Sequence, residues 1–380
     1  MLPLVIISAL SFTAETALYM LVQLYLKEMQ IQPLIIGFST TLIWLGMLLG
    51  SPLWGTLCDR WPRKPILFVI LITNGLVIGV FALLPPPLCV LPTVFLRALI
   101  IAGLTPVTMS IVSGTSSPNS RGRNLSYVSS SRSLGGALGN AMVGFLLVTL
   151  SFRWSFLALA SLSLFALLLL PYLSEERKVR SKTKESFFRD LMKRDIRGLY
   201  LGTVLRWMGT VGSFSLIYVY MASLAISPES MGMVSALGPT MTVLGILLFG
   251  RMADRIEKRK VFLLGFGLSM LVPLIFAYAQ DAWGMAAGFL TLGISSGSVY
   301  IGSTAYISNI IPVERHGMML GLFEASRGLG GVLGPLVAGA ITPILGFRGM
   351  FLTMMGMVAF GFLLVLFSPR EPSLSVLNGR

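Results

Sequence analysis

The sequence predicts an all-α membrane protein of twelve transmembrane helices, arranged as two six-helix bundles related by internal duplication. Three observations carry that prediction. Apolar residues make up 55% of the chain and charged residues only 12%, about half the charged share of a soluble globule. Apolar runs of about 20 residues, enough to cross ~30 Å of hydrocarbon as helix, recur from end to end. Sequence patterns also return 195 positions apart. Open strands are excluded, because their backbone N–H and C=O groups would lie unpaired in lipid.

In chain order, the first six spans run at 2–26, 34–56, 65–84, 88–113, 124–147 and 152–172. The second six run at 198–222, 229–250, 261–279, 284–310, 318–341 and 348–367. These define a bundle over 1–173, a linker over 174–197, a second bundle over 198–368 and a tail over 369–380. The opening run lacks a basic start and continues past Glu15 to Leu26, so it reads as a retained helix rather than a cleaved leader. With the first helix entering from the cytosol, 22 of the 29 Lys and Arg fall in loops or tails on that side, which places both termini in the cytosol. The same bias accounts for the net charge of +14 without nucleic acid. The linker holds nine basic residues and reads as a tether, with a short amphipathic stretch at 186–194 suited to the headgroup level. Cys58 and Cys89 fall at opposite faces, so neither a disulfide nor a metal site is expected.

The duplication rests on three separated segments in one register. Gly55-Thr56-Leu57-Cys58-Asp59-Arg60, followed by Arg63 and Lys64, returns as Gly250-Arg251-Met252-Ala253-Asp254-Arg255 with Lys258, Arg259 and Lys260. Ser131-Arg132-Ser133-Leu134-Gly135-Gly136-Ala137-Leu138-Gly139 falls on Ser326-Arg327-Gly328-Leu329-Gly330-Gly331-Val332-Leu333-Gly334. Phe152-Arg153 falls on Phe347-Arg348.

Together these features resemble the major facilitator superfamily over essentially the whole chain. Its signature between the second and third helices is matched by Gly55, Leu57, Cys58, Asp59, Arg60, Arg63 and Lys64, with Pro62 where a glycine is usual. The second copy keeps Gly250, Ala253, Asp254 and Arg255. The resemblance implies a lock on the cytosolic gate built from these residues. It also implies an acid at the end of the fourth helix; the register puts Asn119 there and Glu314 in the second half, so the second lock is the fuller one. Antiporter branches carry a Gly-rich fifth helix ending Gly-Pro. Gly135, Gly139 and Gly144 fit it with Asn140 in place of proline, and Gly334-Pro335 supplies the proline in the eleventh span. Small residues at four-residue spacing also serve plain helix packing.

Charges inside the spans are few and therefore informative, since a carboxylate at mid-bilayer costs ~2.5–3.5 kcal/mol on insertion scales. Glu15 is the one acid near the middle of any span, in a stripe with Ser8, Ser11, Tyr19 and Gln23. Arg97, where the family places a membrane arginine, lies at the same depth, roughly 15 Å from the outer surface. The spacing permits either a permanent ion pair or a carboxyl that exchanges its cationic neighbour for an apolar one and so carries a proton. By resemblance, the first, fourth, seventh and tenth helices line the cavity. Tyr19, Gln23, Arg206, Thr210, Ser296 and Tyr300 are then the candidate substrate side chains, and Glu324 with Arg327 extend the gate. No nucleophile–base pair, metal cluster or phosphate loop stands out, so neither enzymatic activity nor a cofactor is expected.

The resemblance implies a secondary transporter working by alternating access. The leading expectation is proton-coupled efflux of small apolar or cationic molecules by a monomer in a prokaryotic cell membrane. The expected partners are that small-molecule substrate, the proton and the lipid bilayer. A symporter importing a sugar, organic anion or peptide is the first alternative, and a lipid flippase or non-transporting membrane sensor the second.

Overall fold

A computed structural model describes residues 1–116, 118–173, 197–253, 255–310 and 316–367, and all regular structure among them is helical. The first half contains α1 (Leu2–Glu28), α2 (Pro33–Arg60), α3 (Arg63–Phe81), α4 (Pro87–Ile101), α5 (Leu104–Thr115), α6 (Pro118–Thr149) and α7 (Phe152–Phe165), which runs on as a 3-10 turn over Ala166–Tyr172. The second contains α8 (Arg197–Phe214), α9 (Ile217–Ser223), α10 (Pro228–Ala253), α11 (Lys258–Tyr278), α12 (Ala282–Ile310) and α13 (His316–Leu366). Prolines open α1, α2 and α4 in the first turn, where a missing N–H costs nothing. Among the described residues, nine stretches are long and apolar enough to cross a membrane.

Three interruptions depart from simple rods. The expected fourth span is two helices, α4 and α5, broken at Ala102–Gly103. The break exposes the Leu99 carbonyl, and the Trp54 indole of α2 donates to it at 2.8 Å. Only glycine fits the corner, because a Cβ on Gly103 would sit 2.5 Å from Trp54 Cγ and 2.6 Å from Ile70 Cδ1. The expected seventh span is likewise split, between α8 and α9 at Ser215–Leu216. The last two expected spans follow each other within α13, where the helix is broken at Gly346 with φ +67. The apolar stretch within it, Gly321–Leu366, has 46 residues, and the non-helical backbone at Gly346 divides it into two helical parts rather than one rod.

The described residues form two compact units: 1–173 with 215–240, and 197–214 with 241–367. In the first, α1 packs along α6, α2 along α4 and α3 along α7. Its core runs through Ile7, Leu67, Leu71, Leu104 and Val107, and Phe81 stacks on Phe156 at 5.4 Å. In the second, α8 packs along α13 and α11 along α12. Aromatic side chains fill it: Phe262 stacks on Tyr306 at 5.9 Å, and Phe276 meets Phe289 at 5.4 Å.

Candidate functional site

The first unit joins two of its intramembrane charges, Glu15 and Arg97, into one chain of polar contacts. Arg97 on α4, 3% exposed, forms an ion pair through Nη2 with Glu15 Oε2 on α1. Its Nε donates to Asn74 Oδ1 on α3 at 3.1 Å, and Asn74 Nδ2 donates to Ser163 Oγ on α7 at 2.8 Å. Four helices therefore hold one guanidinium. Close approach of α2 to α4 sets its position, since a Cβ on Gly50 would lie 2.5 Å from the Leu99 carbonyl. The Glu15 side chain keeps 18% exposure and borders a small recess, with room for about one water molecule, lined by Leu18, Tyr19, Val22, Ile43, Val94 and Arg97.

The neighbouring polar residues separate into two uses. Tyr19 lines the recess, with its hydroxyl 3.4 Å from Thr40 Oγ1 and its ring edge-on to Tyr218 at 6.4 Å. Gln23, one helical turn on, is 1% exposed, and its Oε1 accepts from the Tyr218 backbone N–H at 3.4 Å. The break between α8 and α9 leaves that N–H without an intrahelical acceptor, so Gln23 serves as a cap there. Ser8 and Ser11 are buried on the same helix with no hydroxyl partner among the described residues.

In the second unit, Arg206 of α8 is 2% exposed, and its Nε donates to Ser269 Oγ on α11 at 2.9 Å. Its guanidinium lies 5.6 Å from the Trp207 ring centroid and 5.7 Å from that of Phe266. Thr210 turns back to the Arg206 carbonyl at 3.0 Å. Ser296 is half-buried, and Tyr300 is 54% exposed. Arg327 pairs with both Glu324 oxygens at 2.7 and 2.8 Å and lies 4.3 Å over the Trp207 ring.

The glycines mark helix seams. A Cβ on Gly135 would collide with the Ala9 carbonyl, one on Gly139 with the Thr13 carbonyl, and one on Gly334 with the Met208 carbonyl. Thr13 Oγ1 donates to the Gly135 carbonyl at 3.0 Å, and Thr16 Oγ1 to that of Gly136 at 3.0 Å. Gly144 meets α10 at Gly232, beside the Asn140 Nδ2 bond to the Ser235 carbonyl at 3.2 Å. Pro335 lies inside α13. Of the residues expected to form the gate, Gly55 faces open space, Arg60 and Arg255 are exposed, and Arg63 and Lys64 are half-buried. The turn there is two residues, with Trp61 extended and Pro62 at the start of α3. The Asp59 side chain, Asp254, Glu314, the Asn119 side chain and the 174–196 linker lie outside the described residues.

Sequence reasoning singled out Glu15, Arg97, Arg206 and the Glu324–Arg327 spacing. It did not find Asn74, Ser163 or Ser269. The available signal was register: Asn74 is a lone amide inside the third span, and Ser269 stands 195 positions on, so both halves anchor a buried arginine from the same helix position.

Profiles of the Major Facilitator Superfamily match residues 4–198 and again 199–380. The chain belongs to that superfamily. It resembles the multidrug resistance protein MdtG of Citrobacter koseri, 23% identical over 352 residues covering 85% of this chain and 84% of that one. MdtG of Proteus mirabilis is 24% identical over 376 residues, 92% of this chain and 90% of that one. Among solved structures, a point mutant of the nucleoside transporter NupG superposes with a TM-score of 0.84 at 14% identity, covering 96% of this chain and 98% of its own. An inward-facing bacterial homologue of the lysosomal transporter Spinster gives 0.78 at 16% identity, with 96% of each covered. These structures share the fold. As a member of the Major Facilitator Superfamily, this chain is a multi-pass integral membrane protein that transports small molecules, in a prokaryotic cell membrane like its bacterial relatives. Its homologues are transporters rather than enzymes.

Proposed function

We propose that this protein exports small, largely apolar molecules by alternating access, with protons as the driving ion. Glu15 is the proton site, Arg97 its counter-charge and the adjoining recess part of the cargo route. The observation that carries this reading is the Glu15–Arg97 pair itself, at mid-span, part-exposed and beside an apolar recess with one tyrosine hydroxyl. The direction is taken from the relatives, whose names describe multidrug resistance. One proton falling through 100 mV supplies ~2.3 kcal/mol. At ~1.4 kcal/mol per decade this supports a roughly forty-fold cargo gradient, so a single titrating acid is sufficient.

The architecture belonging to this reading has twelve crossings, with both termini and the 174–197 linker cytosolic and bundles over 1–173 and 198–368. Three crossings lie beyond the nine counted by hydropathy: the serine- and arginine-rich α6, the broken α8–α9, and a second passage within α13 divided at Gly346. Asp59, Arg60, Arg63, Lys64, Asp254, Arg255, Glu314, Glu324 and Arg327 are the cytosolic gate, and the protein works as a monomer.

The test is proton movement in pyranine-loaded proteoliposomes when amphiphilic dyes are added. The wild-type protein is expected to couple dye flux to a change in lumenal pH, and Glu15→Gln to abolish the pH change while the protein remains folded. Unaltered coupling in Glu15→Gln would remove Glu15 from the mechanism.

A further inference from the structure

We propose that Arg206 binds an acidic group on the cargo, so that the molecules carried are amphiphilic anions rather than cations. This rests on the transport reading and assigns it a substrate class.

Arg206 stands nine residues from the start of α8, about 14 Å along the helix at 1.5 Å per residue. It is 2% exposed, and one of its three nitrogens is engaged, Nε with Ser269. The Nη nitrogens carry four N–H groups and meet no acceptor among the described residues. No described carboxylate neutralises the charge. Glu324, which Arg327 links to the cluster, is held by both oxygens on Arg327 Nη1. The pair Glu324–Arg327 is neutral, so the cluster keeps one positive charge, that of Arg206. Arg327 contributes a second vacancy: its Nε is buried with no partner among the described residues.

A guanidinium in lipid is held at a cost, and such residues pair with one another, line cavities or meet ligands. Helix anchoring alone does not explain this one, because the Ser269 contact uses a single N–H and a neutral amide would serve there. The two free Nη groups form a planar fork, the geometry that accepts both oxygens of a carboxylate or sulfonate. Phe266, fully buried, backs the guanidinium at 5.7 Å, and the part-exposed Trp207 ring lies 5.6 Å from its carbon, so an aromatic or other apolar body has the indole to lie against. A lipid headgroup is too distant, since the arginine sits well inside the span. A basic cargo would meet an uncompensated positive charge at the same place.

The experiment uses the full-length protein purified in detergent and three probes of one shape: 2-naphthoate, 2-naphthylmethanol and 2-naphthylmethylamine as its ammonium. Binding is measured by thermophoresis. The wild type is expected to bind naphthoate at least tenfold more tightly than the ammonium, with the alcohol between. Arg206→Gln is expected to weaken naphthoate at least tenfold while leaving the alcohol within twofold, which also shows that the variant is folded. Arg206→Lys, which keeps the charge but not the fork, is expected to lose three- to fivefold. Equal naphthoate affinity in wild type and Arg206→Gln, or wild-type preference for the ammonium, overturns the proposal. Neither result touches proton coupling, which Glu15→Gln tests separately, so the anion site and the transport reading fail independently.

Discussion

The Glu15–Arg97 contact makes a quantitative demand on stability, which a double-mutant cycle isolates. Replacing Arg97 by Gln removes two things at once: the ion pair with Glu15 and the Nε–H bond that Asn74 accepts at 3.1 Å. Leaving Asn74 Oδ1 without its donor costs ~1–3 kcal/mol for a buried group. Breaking a fully buried ion pair by removing one member costs ~3–5 kcal/mol, whereas exposed pairs are worth ~0.2–1 kcal/mol. Arg97 is 3% exposed but the Glu15 side chain is 18% exposed, so part of the carboxylate remains solvated and the pair falls between these limits. The expected coupling energy is therefore about 1.5–2.5 kcal/mol, between the exposed and buried ranges. The Asn74 loss occurs both in Arg97→Gln and in the double variant, so it cancels from the cycle with Glu15→Gln. Arg97→Gln alone is accordingly more destabilising than the coupling, at roughly 2.5–5.5 kcal/mol with the Asn74 contribution included. The measurement is unfolding of the four purified proteins by sodium dodecyl sulfate, followed by tryptophan fluorescence. A coupling below ~0.5 kcal/mol, the level of a surface pair, would show that the contact does not hold the two helices and would refute the reasoning.

Two further predictions concern the scaffold. Gly330→Ala is expected to destabilise by ~1–3 kcal/mol through overpacking, because its Cβ meets the Val204 carbonyl and lies 2.6 Å from Trp207 Cβ. Gly356→Ala, with nothing within 4 Å, is expected to be neutral or to stabilise by ~0.4–1 kcal/mol. The same unfolding titration compares them, and equal effects would contradict the seam. Trp54→Phe is expected to cost ~0.5–1.5 kcal/mol by leaving the Leu99 carbonyl without its indole donor. A Trp54→Phe midpoint matching wild type would show that the α4–α5 corner does not need that bond.

How legible these features are in the sequence depends on whether their cause is local. Apolar length, the Gly55–Lys64 hairpin and the Glu324–Arg327 spacing are local, and helical geometry brings residues three apart together without help from elsewhere. The corner at Gly103 is not visible, because Leu99 to Leu104 is apolar whether straight or bent and the deciding donor, Trp54, comes from α2. Gln23 shows the same limit. Its place in the Ser11, Glu15, Tyr19 stripe suggests a cavity-facing side chain, but the α8–α9 break supplies a backbone N–H that occupies it. The α6 helix begins at Pro118 rather than 124 because its polar first turns, with Arg121, Arg123 and Asn124, are helical without being apolar.

The two halves differ in a way that packing physics explains. Gly135 and Gly139 face the carbonyls of Ala9 and Thr13; 195 positions on, Gly330 and Gly334 face those of Val204 and Met208. The glycines agree between the copies and their opposite residues do not. That is the expected pattern when the contact is backbone to backbone, since the close side must lack a Cβ while the other side offers only its C=O. The flanking clasp behaves alike: Arg132 lies 4.3 Å over Phe12, and Arg327 lies 4.3 Å over Trp207. The buried charges follow another rule. Glu15 and Arg97 correspond to Thr210 and Leu292, and Arg206 corresponds to Ser11. A seam can be duplicated without cost because each copy closes on itself. A buried charge cannot, because each new one needs its own partner. Arg97 has a carboxylate, whereas Arg206 has only a serine among the described residues. The asymmetry therefore leaves the second half one counter-charge short, and a bound anion is the simplest means of supplying it.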